Sequence, residues 1–213
     1  MEKKLNVLVL NASLKHKRGG KNAEISNTEE VAELVIKNMV ALKQATITSE
    51  IIRLADKDIP VGLGFTEGKG DEWPAIVEKI RKADIILFAT PIWWGNRSSL
   101  MQRVIERMDA FDEEVIAGGR EELLNKVAGV VITGSEDGAQ AVLAGIMEVL
   151  TFMNFTLPPQ CAVYWVGEVG DPVKSERARR LKNKATPHMA KTMAYNLVYY
   201  ANLLKAHPLK PQK

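Results

Sequence analysis

The segment Thr90-Pro91-Ile92-Trp93-Trp94-Gly95-Asn96 holds the residues with the clearest chemical potential in this 213-residue chain. Two adjacent tryptophans, bounded by a proline and a glycine, are costly to expose in a polar turn and suit the wall of a planar ligand site. The alternative is one core tryptophan and one at an interface. A second segment, Asn11-Ala12-Ser13-Leu14-Lys15, is followed after a polar stretch by Ser26-Asn27-Thr28. Hydroxyls, an amide, a lysine and the free N–H groups of a helix start suit a phosphate monoester. A capped helix after a polar turn accounts for the same residues equally well. In the third segment, Thr133-Gly134-Ser135-Glu136-Asp137-Gly138, glycines let backbone N–H groups approach a flat ring edge. A plain strand-to-helix connection is its simpler reading. No Walker loop occurs, and no Gly-x-Gly-x-x-Gly follows the first strand. Gly62, Gly64 and Gly68 lie at the wrong spacing and in the wrong context for a dinucleotide loop.

These segments need a scaffold, and the hydrophobic pattern supplies one. Short apolar, β-branched-rich runs at residues 5–10, 48–54, 84–89, 126–133 and 161–166 predict strands. Helical periodicity predicts helices over 26–43, 74–82, 98–111, 139–152 and 184–204. Val31, Leu34, Val35, Met39 and Leu42 form the apolar stripe of the first. Such alternation predicts an α/β fold, a parallel sheet with helices on both faces. Ligands of such sheets bind beyond the carboxyl ends of the strands where strand order reverses, and all three segments follow strands. The loop over 55–73, with four glycines, is a candidate lid. One domain is expected over 1–206, with a frayed tail over 207–213.

Composition narrows the function classes. Net charge is +3, too mild by itself to predict nucleic-acid binding. The basic clusters at 15–21 and 177–184 read as solvated surface or, for the first, as phosphate recognition. Cys161 is the single cysteine, which rules out an internal disulfide and a cysteine-held cluster and suits a reducing, cytoplasmic setting. The apolar run at 5–10 is too short for a signal-peptide core. No run approaches the roughly 18 apolar residues of a membrane span. His16, His188 and His207 read as surface residues, so no metal site is expected. Tyr195, Tyr199 and Tyr200 on the last helix suggest a homodimer or tetramer.

Together the three segments resemble those of the NADPH-dependent FMN reductase family, within the flavodoxin-like superfamily. Asn11-Ala12-Ser13-Leu14-Lys15 with Ser26-Asn27-Thr28 looks like its phosphate loop. Thr90-Pro91-Ile92-Trp93-Trp94-Gly95 looks like its flavin loop, and Thr133-Gly134 with Gly138 like its third loop. The resemblance covers residues 5 to 167. Ala12 replaces the usual glycine, Lys15 the usual arginine, and the loop over 16–25 is longer than the common form. The resemblance implies a three-layer sandwich with strand order 2-1-3-4-5. It implies FMN with its phosphate among Ser13, Lys15, Ser26, Asn27 and Thr28. The ring would lie between Pro91, Ile92, Trp93, Trp94, Gly95 and Asn96 on one side and Thr133, Gly134 and Gly138 on the other. NAD(P)H would be the electron donor and a small molecule such as a flavin or quinone the acceptor, with no catalytic acid or base. A flavodoxin-like electron carrier is one rival; such carriers are typically strongly acidic, unlike this chain. A flavin-less interaction module on the same fold is the other.

Overall fold

The computed structural model describes residues 3–16, 26–170 and 173–211. Strands β1 (Lys4–Asn11), β2 (Thr46–Arg53), β3 (Ile85–Trp93), β5 (Val127–Gly134) and β6 (Ala162–Val166) form one parallel sheet in the order β2-β1-β3-β5-β6. Among these five, the order is the expected 2-1-3-4-5. A short β4 (Asn96–Arg97) folds back antiparallel on the end of β3.

Alternation along the strands sorts the core into two layers. Leu5, Val7 and Val9 of β1 face α1 (Asn27–Ala41) and α6 (Ala185–Ala206), packing with Val31, Val35, Met193 and Leu197. Leu8 and Leu10 point the other way, toward α2 (Trp73–Lys82), α3 (Ser99–Ile116) and α4 (Ala139–Phe152), joining Ile76, Met101 and Ile146. A period of two on a strand buried on both faces is what a central parallel strand requires. Gly129 lets α6 lie close to β5, since a Cβ there would sit 2.5 Å from Met193 Cε.

Three features differ from the expectation. β3 runs on to Trp93 because β5 pairs with it as far as Pro91 and β4 continues the pairing at Ile92 and Trp93. α3 extends to Ile116. An additional helix, α5 (Val173–Lys182), occupies part of the second basic cluster. Its sequence has almost no apolar stripe, so periodicity could not reveal it.

The long loop after β2 is fastened to α3. Arg107, whose side chain is fully buried, donates from Nε to the Gly64 carbonyl (2.9 Å), from Nη1 to the Pro60 carbonyl (3.1 Å) and from Nη2 to Asp71 Oδ2 (2.7 Å). Arg103 Nη1 adds a bond to the Ile59 carbonyl at 2.8 Å. The segment proposed as a lid thus carries its own anchors. At the far end, Asn125 and Leu209 exchange two hydrogen bonds (3.0 and 2.6 Å), tying the start of the tail to the loop before β5. Among the described residues no helix is long and apolar enough to cross a membrane, and no His/Cys/Asp/Glu group could hold a metal ion.

Candidate functional site

Three loops meet at the carboxyl ends of β1, β3 and β5. The first is clamped as it leaves the sheet. Ala12 donates its N–H to the Ala89 carbonyl (2.7 Å), and its own carbonyl accepts from Ser98 Oγ (2.8 Å). Ser98 also donates its N–H to Thr90 Oγ1 (3.1 Å) and caps α3 by accepting from the Met101 N–H. Ala12 is fully buried, so its methyl fits where the resembling loop has glycine.

Beneath this loop lies a charged platform. Asn11 Oδ1 accepts the Ser13 N–H (3.1 Å), while Asn11 Nδ2 donates to Glu29 Oε2 (2.9 Å). The same carboxylate takes Arg53 Nε (2.9 Å) and Nη2 (2.6 Å). Charge-assisted bonds of this kind are about twice as strong as neutral ones. The sequence gives each partner alone. Their meeting becomes visible only once β2, which ends at Arg53, lies beside β1.

One cleft of about 230 Å³ gathers most of the expected residues. Ser13, Lys15, Asn27 and Thr28 line it together with Pro91, Ile92 and Trp93, which supply its apolar surface, and with Thr133 and Gly134, which lie beside that surface because Thr133 pairs with Pro91 across the sheet. Ser135 and Glu136 line it too, beyond the threonine and glycines expected from that segment. Thr28 Oγ1 and Thr133 Oγ1 are 2.7 Å apart and buried, linking the start of α1 to the end of β5. Larger grooves, of about 530 Å³ along α6, about 480 Å³ between β2 and α2 and about 470 Å³ beside α3, lie away from the carboxyl ends of β1, β3 and β5.

The remaining expected residues frame the cleft rather than line it. Ser26 is buried as the cap of α1, accepting the Glu29 N–H at 3.2 Å. Trp94 and Gly95, at φ +50° and +73°, form the two-residue turn between β3 and β4. Positive φ at both central positions gives the tight hairpin that matches strand twist. That turn throws Trp94 outward, 86% exposed, whereas Trp93 is 47% exposed and borders the cleft. Asn96 donates to the Trp94 carbonyl (3.2 Å), and the Trp94 N–H donates to Glu136 Oε1 (3.2 Å). Gly138, at φ +117°, presses on this turn: a Cβ there would stand 2.7 Å from Gly95 Cα. Gly134 is similarly tight against Ile92, at 2.9 Å.

The basic residues divide. Lys17, Arg18 and Lys21 lie outside the described residues. Arg177 pairs with Glu30 (2.7 Å) and Arg179 with Glu168 (3.0 Å), so these cations are engaged by acids. His16 stands 3.3 Å from Asp56. Cys161 is buried, and burial pushes its thiol up, which makes it a poor nucleophile at neutral pH.

A cleft with a cationic, hydroxyl-rich helix start at one end and an apolar, aromatic wall along its length suits a flat molecule bearing an anion. The chain is 28% identical over 215 residues to the 8-demethyl-8-aminoriboflavin-5'-phosphate synthase of Streptomyces davaonensis, covering 96% of this chain and 80% of that protein. It is 30% identical to a Mycobacterium bovis protein named divalent metal cation transporter MntH, but spans only 29% of that protein's length. Among solved structures, RosB with bound 8-demethyl-8-formylriboflavin-5'-phosphate superposes with a TM-score of 0.78 at 26% identity, covering 96% of this chain and 82% of that one. An apo NADH:FMN oxidoreductase shares the fold, with a TM-score of 0.64 at 16% identity over 96% of this chain and 92% of that one. The family model described as NADPH-dependent FMN reductase matches residues 5–169, and the chain belongs to this family of flavin oxidoreductases.

Proposed function

We propose that the cleft binds FMN and that the protein is an NAD(P)H-dependent oxidoreductase acting on a small acceptor such as a flavin or quinone. The observation that carries this reading is the union, in one cleft at the strand-order switch point, of the α1 start with Lys15 and the wall containing Trp93. The residues fit the cofactor. Lys15, Ser13 and the first N–H groups of α1 offer donors and positive charge to a phosphate. Pro91, Ile92 and Trp93 exclude water from one face of a ring, and Thr133 and Gly134 bring backbone to its edge. Bound FMN would supply two-electron transfer, accepting hydride from NAD(P)H and passing the electrons on in a second half-reaction. The chain's own share is binding, orientation and exclusion of water, so no side chain is assigned as acid, base or nucleophile.

The deciding experiment is an absorbance spectrum after FMN addition and desalting, repeated after anaerobic NADPH or NADH. Retained flavin that bleaches is expected. Flavin retained but never bleached by either donor favours a carrier, and no retention at all removes the reading.

The similarity to the synthase favours a second reading, in which a flavin-5'-phosphate is itself the molecule altered. Mass spectrometry of flavin recovered after turnover separates the two: an unchanged mass supports the cofactor role.

We further propose a homodimer or tetramer. Tyr195 and Tyr199 are 47% and 51% exposed and stack at 6.3 Å on the outer side of α6, beside half-exposed Leu203, while Tyr200 turns inward to the core. Tyr199→Glu should shift the mass in light scattering to a monomer. A wild-type monomer would remove this claim.

A further inference from the structure

The cleft's polar end is backed by a residue that the flavin reading does not use. α5 is linked to the start of α1 by its arginines, and Arg180 on it has a side chain only 6% exposed. Its Nη2 donates to Glu30 Oε2 and lies 3.4 Å from Asn27 Oδ1. Its Nε is buried with no acceptor among the described residues. Glu30 is shared by Arg177 and Arg180, so two cations face one carboxylate.

The orientation of Asn27 follows. A primary amide offers an oxygen that accepts and a nitrogen that donates twice. A guanidinium on the oxygen side engages the acceptor and leaves the NH₂ as the group available to the cleft, which Asn27 lines. Were the amide reversed, its oxygen would face an incoming anion and repel it. Arg180 therefore sets which end of Asn27 the ligand meets, and does so from behind without lining the cleft.

We infer that Arg180 is a positioning residue that, through Asn27, makes the cleft select a phosphorylated flavin over the same flavin without its phosphate. The inference rests on the FMN reading and deepens it. A donor held toward an anion strengthens binding of the phosphate alone and leaves the ring untouched. Glu30 keeps Arg177 as a partner when Arg180 is replaced, so the α1 start retains an ion pair.

The test is titration of full-length wild type, Arg180→Met, Asn27→Ala and the double variant with FMN and with riboflavin, followed by flavin fluorescence. Wild type is expected to prefer FMN. Each single variant should weaken FMN by about 10-fold, the scale of a lost hydrogen bond to a charged group, with riboflavin affinity unchanged. The double variant should be no weaker for FMN than Asn27→Ala. Equal weakening of both flavins would reduce Arg180 to a structural role. Unchanged FMN affinity, additive effects in the double variant, or a wild type without preference would each overturn the inference while leaving the FMN reading in place. A wild type that binds neither flavin would instead sink the FMN reading, and this inference with it.

Discussion

Arg107→Met should lower the free energy of unfolding by about 3–5 kcal/mol, the cost of stripping one partner from a buried ion pair. Asp71 and Arg107 both have fully buried side chains, 2.7 Å apart. Removing the guanidinium leaves a covered carboxylate without its cation and frees the Gly64 and Pro60 carbonyls. Against a typical total of about 5–15 kcal/mol, such a loss is a large fraction. Urea titration should show a lower midpoint; an unchanged midpoint would mean that other contacts hold the loop. The pair also sets a pH dependence. Burial pushes the Asp71 carboxyl up, but the Arg107 guanidinium and the N–H groups of Trp73 and Glu67 outweigh it and hold the group below its ordinary value. A depressed folded pKa stabilises above the unfolded pKa and is lost as pH falls through the folded one. Wild type should therefore lose stability below about pH 4, and Asp71→Asn should flatten that part of the profile.

Gly138→Val should weaken FMN binding by about 10- to 100-fold, which corresponds to roughly 1–3 kcal/mol of backbone strain placed at the site. The substitution fails twice over. φ is +117°, where side chains are rarely found, and the new Cβ would strike the backbone of Gly95 at 2.7 Å. The turn carrying Trp94 must then move, and Trp93 with it. Gly68→Ala is the control. Its φ is +110°, yet a Cβ there meets nothing within 4 Å. It should cost stability without touching FMN affinity. Equal losses of affinity in both variants would refute the importance of the Gly95 contact.

The sheet was legible because each strand carries its own apolar run, and the positions of the three loops follow from where those runs end. The division of labour within the loops was not. Ser26 and Thr28 look alike in sequence, yet one caps its helix and the other reaches Thr133. Trp93 and Trp94 are adjacent and chemically identical. Only the tight hairpin turn, with positive φ at Trp94 and Gly95, decides which faces the cleft. α5 leaves no mark in the hydrophobic pattern for a physical reason. Arg177, Arg179 and Arg180 bind it to Glu30 and Glu168, and ion pairs leave no periodic trace. Arg107 was hidden within an ordinary amphipathic helix, since its loop partners lie far from it in sequence.

The Thr28–Thr133 bond joins residues 105 positions apart. Closing so long a stretch of chain costs conformational entropy before any contact repays it, and topologies built on distant pairings fold slowly. During synthesis, the chain emerges with Lys15 and the start of α1 long before β5 is made. An incomplete nascent chain therefore lacks one wall of the cleft. On the FMN reading proposed above, the cleft would be ready for a flavin only after most of the protein has left the ribosome.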